Sequence, residues 1–159
     1  MEPHCELRTI SRIDPFTPDV RQTMAKNVFG EDLIACSTDP MTGFFRNGQC
    51  DTCGDDHGMH TVCAVMTADF LEYSKSVGND LSTPHEAWQF PGLQDGDHWC
   101  LCLPRWLQAL EAGMAPKLVL RATHMSAIEH ITMDVLLEYA VDADHAPADW
   151  HENDYDESA

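Results

Sequence analysis

Cysteine and histidine crowd the middle of this chain, and their spacing suggests three kinds of chemistry. The run Cys50-Asp51-Thr52-Cys53-Gly54 is a CxxC turn followed by glycine, with His57, His60 and Cys63 close behind. Such a turn aims two thiolates at one ion, and the glycine lets backbone amides approach the sulfurs, as in a zinc knuckle. A complete tetrahedral site would draw its second pair of ligands from His57, His60 and Cys63. Otherwise Cys53 is a loop residue and Cys63 a small core hydrophobe. The second group lies in residues 98–103. At a strand's period of two, His98, Cys100 and Cys102 share one face while Trp99, Leu101 and Leu103 share the other. Two thiols on one face can ligate a soft metal, form a redox pair or simply be buried. Their Cα atoms would lie about 6.6 Å apart along an extended strand, near the upper limit for a disulfide, which favours ligation or burial. The metal-ligating set is therefore Cys50, Cys53, Cys63, Cys100 and Cys102, with zinc the first ion to test.

The third group is assembled from the ends of expected elements: Cys36, Asp39, His60, Asn79, Asp80, Arg105 and His124. A thiolate at Cys36 or Cys63, with His60 or His124 as base, would supply nucleophilic chemistry. Arg105 would hold a carboxylate or phosphate through two parallel hydrogen bonds, with Asp39, Asn79 and Asp80 completing a ligand-binding set. The structural alternative is that Asp39 and Asp80 serve their own turns and that His124 is a satisfied histidine.

Composition narrows the field. The chain has 159 residues, enough for one domain to bury roughly 68–70% of the surface its unfolded form exposes, and its 43% apolar content agrees. A formal charge of −18 leaves too few cations to neutralise a phosphate track, so neither nucleic acid nor an anionic membrane is expected as a partner. The acids are mostly aspartate and the lysines are only Lys26, Lys75 and Lys117, a bias that resembles a salt-adapted proteome. No stretch is long and apolar enough to span a membrane, and the first thirteen residues lack the apolar core of a secretory leader. A cytosolic protein is expected, and with it unpaired thiols, despite seven cysteines. There is no GxGxxG, P-loop, HExxH or GxSxG motif, so dinucleotide-binding, P-loop, zincin and serine-hydrolase readings lack their usual support.

The elements that must position these residues are short. Thr17-Pro18-Asp19 predicts a helix over residues 18–25 within an N-terminal extension, 1–26. A strand is expected over 60–66. A helix follows, capped by Thr67 and closed by Gly78. A second strand over 99–103 is stopped by Pro104, which suits the first turn of a helix over 105–112. A third strand is expected over 117–123, a helical turn at Ser126–Glu129, and a last helix over 133–141 capped by Thr132. Turn-rich stretches 36–58 and 79–97 form two long ordered loops, which in compact domains tend to be functional. The fold class is α+β, a small sheet with short helices on one face. Residues 27–141 form the domain, and 142–159 an acidic disordered tail.

In this order along the chain stand Asn27-Val28-Phe29-Gly30, Cys36-Ser37-Thr38-Asp39-Pro40, Thr42-Gly43-Phe44, His60 with Thr61-Val62-Cys63-Ala64, Gly78-Asn79-Asp80-Leu81-Ser82-Thr83-Pro84, Phe90-Pro91-Gly92-Leu93, Gly96-Asp97 with Trp99-Cys100-Leu101-Cys102, Arg105-Trp106 and Ala122-Thr123-His124. This series closely resembles the mainly bacterial family catalogued as domain of unknown function 2237. The resemblance spans residues 27–142 and implies a compact α+β domain. It supplies no substrate, cofactor or catalytic residue. The family tends to have glycine at Cys53 and arginine at His98, so a role for either side chain would be particular to this protein.

The expected function is binding or transformation of a small polar molecule in a cleft under the two loops, with Cys36, His60, Cys63 and His124 at its centre. A zinc-binding module and a non-catalytic interaction domain are the alternatives.

Overall fold

The computed structural model describes residues 25–146, Gln89 excepted. All but the last residue of the helix expected over 18–25, and most of the acidic tail, lie outside the described residues. The order is β1 (Val62–Val65), α1 (Ala68–Ser76), β2 (His98–Leu101), α2 (Leu103–Glu111) and α3 (Met133–Tyr139), with short 3₁₀ turns between them. The fold is thus a small α+β structure around a two-stranded antiparallel sheet, in which Val62 faces Leu101 and Cys63 faces Cys100. No described helix is long and apolar enough to cross a membrane.

Local chemistry explains each helix. Thr67 accepts the Phe70 amide as N-cap of α1, and Asp69 sits in its first turn where the helix dipole favours an acid. Gly78 ends that helix at φ +96°, a conformation that costs glycine least. Cys102 is the N-cap of α2 with Pro104 in the first turn, and Thr132 accepts the Val135 amide at the start of α3.

The strand period sorts the interior into two layers. Val62, Ala64, Met66, Trp99, Leu101 and Leu103 point into the main apolar core, where Trp106 and Leu136 are fully buried. The alternate residues Cys63 and Cys100 point the other way, into a smaller cluster with Cys36, Cys50 and Ala122. Trp106 anchors the larger layer, its indole N–H donating to the Pro116 carbonyl at 3.0 Å.

The expected third strand is cut short. Leu118 bridges Ala64 and Ala140, and the chain then tightens into a 3₁₀ turn at Leu120–Ala122. The cause is a distant carboxylate. Asp142 accepts the amides of Leu120 and Arg121 at 2.8 and 3.0 Å, donors that a strand would have offered to a ladder.

Candidate active site

Cys63 and Cys100 are direct cross-strand neighbours, yet they are not bonded to each other. Cys63 is joined to Cys36 and Cys100 to Cys50, with Cα separations of 5.7 and 5.2 Å. The two cross-strand amides face away from the partner strand and donate to buried threonine hydroxyls, Cys63 to Thr123 at 3.1 Å and Cys100 to Thr42 at 3.0 Å. This is the non-hydrogen-bonded kind of pair, in which side chains lie close and parallel. The expectation of unpaired thiols is therefore corrected: pairing is non-local, across 27 and 50 residues. Cys53 is likewise not a free thiol.

The two disulfides tie both ends of a loop to the sheet. The segment from Cys36 to Cys50, which precedes both strands in the chain, is fastened to β1 at its start and to β2 at its end, and its neck is closed where the Cys36 and Ser37 amides share the Gly48 carbonyl. Phe44 and Arg46 ride on this loop. The Phe44 ring stacks on His60 with centroids 6.4 Å apart, and the Arg46 guanidinium lies 5.3 Å over the Trp99 ring. Both line a cavity of about 240 Å³ whose wall also includes His60, Asn79, Trp99 and Cys102.

Cys102 is the free thiol among the described residues, and it is half-buried. It stands where β2 gives way to α2, at a helix N-terminus. Its sulfur is 3.3 Å from His60 Nε2, and His60 Nδ1 is 2.7 Å from Asp56 Oδ1. The Asp56 side chain is fully buried, and its other oxygen accepts the His60 amide at 2.9 Å and the Thr52 hydroxyl at 3.0 Å. Thiol, imidazole and carboxylate thus form one continuous chain, the arrangement of a nucleophile, its proton carrier and an orienting acid.

The backbone holds these groups in register. Met59 adopts a left-handed φ of +50°, sparsely populated for a side chain of that size. Its carbonyl accepts both Thr61 N and Leu103 N at 2.8 Å, the latter an otherwise unpaired donor of the first turn of α2. His60 is thereby pinned beside Cys102. Gly58 completes the fit, since a Cβ there would come within 2.8 Å of the His60 ring and 3.3 Å of the Cys102 sulfur.

The hydrogen bond to Asp56, aided by the one to Cys102, outweighs burial and raises the His60 pKa to about 10. Burial opposes ionisation of Asp56, but the bonds from His60 prevail and hold its carboxyl below the usual range. A raised histidine stabilises the fold fully below its ordinary pKa of about 6.5, while Asp56 remains ionised, and that contribution is lost as pH rises towards 10. The difference in urea midpoint between the native protein and His60→Gln should therefore shrink steadily from pH 6.5 to 10. A difference that stays flat across that window would show that the imidazole is not charged in the fold.

The remaining sequence-predicted residues are placed as follows. Cys36 and Cys63, expected as thiolates, are bonded to each other and lie in the buried sulfur cluster. His124 caps the turn Met125–Glu129, its Nδ1 accepting the Ser126 amide at 3.1 Å, and its Nε2 lies 3.6 Å from Asp51. Asp80 binds the Thr83 hydroxyl and the Ser82 and Thr83 amides of its own turn. Asp39 is exposed in a turn before a cis proline, its amide donating to the Ser37 hydroxyl at 3.2 Å. Arg105 reaches the Val77 carbonyl and the Gln108 side chain. Of the expected ligand-binding set, Asn79 lines the cavity. Of the expected metal set, Cys50, Cys63 and Cys100 meet in the sulfur cluster, while Cys102 faces His60.

Asp56, Arg46 and the pairing of His60 with Cys102 escaped sequence reasoning. Asp56 stands four residues before His60, and Cys102 two before Pro104, which marks a helix start and so puts the sulfur at a cap. Those two spacings are the signals that could have found them.

Over residues 26–140 the chain matches the model of a family described as an uncharacterised protein conserved in bacteria, DUF2237, and it belongs to that family. No curated protein gives a significant match.

Proposed function

We propose that this protein performs nucleophilic thiol chemistry on a small anionic molecule held in the cavity beside Cys102. The observation that carries this reading is the unbroken chain from Cys102 Sγ through His60 to the buried Asp56 carboxylate. In the proposed step the proton shared between Cys102 and His60 sits on Nε2, Sγ bonds as a thiolate to an electrophilic carbon whose bond to a leaving group breaks, and the Nε2 proton passes to that group. Asp56 keeps Nδ1 protonated and the ring in place. Arg46 receives the anionic group of the substrate. On a chain of net charge −18, a lone guanidinium in a cavity is what would draw an anion inward.

Two alkylating agents that differ by one charge test both halves of this reading. Iodoacetate and iodoacetamide should each modify Cys102 faster than a small free thiol at pH 7, as read by peptide mass spectrometry. Arg46→Gln should lower the iodoacetate-to-iodoacetamide rate ratio by about tenfold, the lower end of what a charge-assisted hydrogen bond contributes. An unchanged ratio would remove Arg46 as anion receptor, and ordinary reactivity of Cys102 in the native protein would remove the nucleophile.

A further inference from the structure

The sulfur cluster behind the sheet plays no part in the chemistry proposed for Cys102, yet it is the most concentrated set of soft ligands among the described residues. The sulfurs of Cys36, Cys50 and Cys100 lie within 4.8 Å of one another, and Cys63 is bonded to the first of them. All four residues are at least nine-tenths buried, and their apolar neighbours are Ala122 and Val119. In the cytosolic setting expected from the sequence, thiols are kept reduced, so the open form of this cluster has to be accounted for. Opened, it places four thiols in a dry site where unpaired thiolates are costly. Tetrahedral zinc with bonds of about 2.3 Å needs sulfurs about 3.8 Å apart, a spacing within that of the three clustered sulfurs. The positions are also pre-set: two ligands come from a cross-strand pair and two from the ends of one loop.

We infer that Cys36, Cys50, Cys63 and Cys100 form a redox-gated zinc site, closed as two disulfides and metal-binding when reduced. Each disulfide takes two electrons from a reductant, here a phosphine, which leaves as its oxide with oxygen from water, and yields two thiols. One Zn²⁺ then displaces four protons to form a tetrathiolate. Soft thiolate ligation in a closed tetrahedral site marks this as structural zinc rather than a catalytic centre with an open position.

The test uses the full chain, reduced with a phosphine under anaerobic conditions and titrated with Co²⁺ as a spectroscopic stand-in. One equivalent should bind, with intense sulfur-to-metal charge transfer and tetrahedral ligand-field bands that Zn²⁺ abolishes. Four thiols should become slow towards a disulfide reagent until a chelator is added. Cys102→Ala and Cys53→Ser should leave these signals unchanged, and Cys50→Ser with Cys100→Ser should remove them. A reduced native chain that takes up no cobalt, or gives only weak octahedral bands, overturns the inference without needing any variant. So do full tetrahedral bands in the double variant. Alkylation of Cys102 is read separately, so failure of this site and failure of the proposed nucleophile are distinguishable.

Discussion

Replacing His60 with glutamine is expected to slow alkylation of Cys102 by about 10- to 30-fold at pH 7, because an unassisted thiol is only a few per cent thiolate there. Glutamine still offers a hydrogen bond to the sulfur but no positive charge. The ratio of native to variant rates should be largest near neutral pH and shrink as pH passes about 8.5, where an unassisted thiol ionises by itself. Asp56→Asn is nearly isosteric and keeps a partner for Thr52, but it removes the charge that chiefly raises His60. Its rate should therefore approach the native one only at acid pH, where histidine is protonated without help. Cys102→Ser should abolish labelling of that peptide. Equal rates for the native protein and His60→Gln across pH 6 to 9 would leave Cys102 as an ordinary thiol beside a structural histidine.

Removing the Cys50–Cys100 disulfide with Cys50→Ala and Cys100→Ala should destabilise the protein by about 2–4 kcal/mol. A chain-entropy model for a link spanning 50 residues gives about 4 kcal/mol as its upper value. For a chain of this size that lowers the thermal midpoint by roughly 5–15 °C. The Cys36–Cys63 bond still holds the other end of the loop, so the two losses are not additive. Hydrogen exchange should quicken in residues 37–49, which carry Phe44 and Arg46. The preference for iodoacetate over iodoacetamide should fall with it, because Arg46 is no longer held over Trp99. An unchanged midpoint would mean that packing around Ala122, and not the covalent link, fixes the loop.

Local chemistry was legible in the sequence and distant pairing was not. Thr67, Gly78, Thr132 and Pro104 announce helix ends through contacts within four residues, and the structure uses each as expected. The period of two in residues 99–103 correctly separates Cys100 from Trp99 and Leu101, which became the two layers of the interior. The third strand failed because Asp142, some twenty residues away, captures its amides. Disulfide partners cannot be read from spacing, since any cysteine can pair with any other until the chain folds. The site suffered the same limit. The type and position of His60 mark it as a proton carrier, but its thiol partner lies 42 residues on, in a stretch whose spacing equally suits metal ligands.

The loop between Cys36 and Cys50 begins and ends on sulfur, each end fastened to a different strand and its neck closed on Gly48. Changes of length between those anchors cost little in closure entropy, but Thr42, which accepts the Cys100 amide, and Phe44, which stacks on His60, tie the loop's own side chains to the sheet and to the Cys102–His60–Asp56 chain. Sulfur thus fastens a loop that brings one cation, Arg46, and one aromatic ring, Phe44, to a cavity whose remaining wall comes from the sheet, its flanking residues, Asn79 and Leu81. Loop and frame therefore meet the cavity from opposite sides of two covalent hinges.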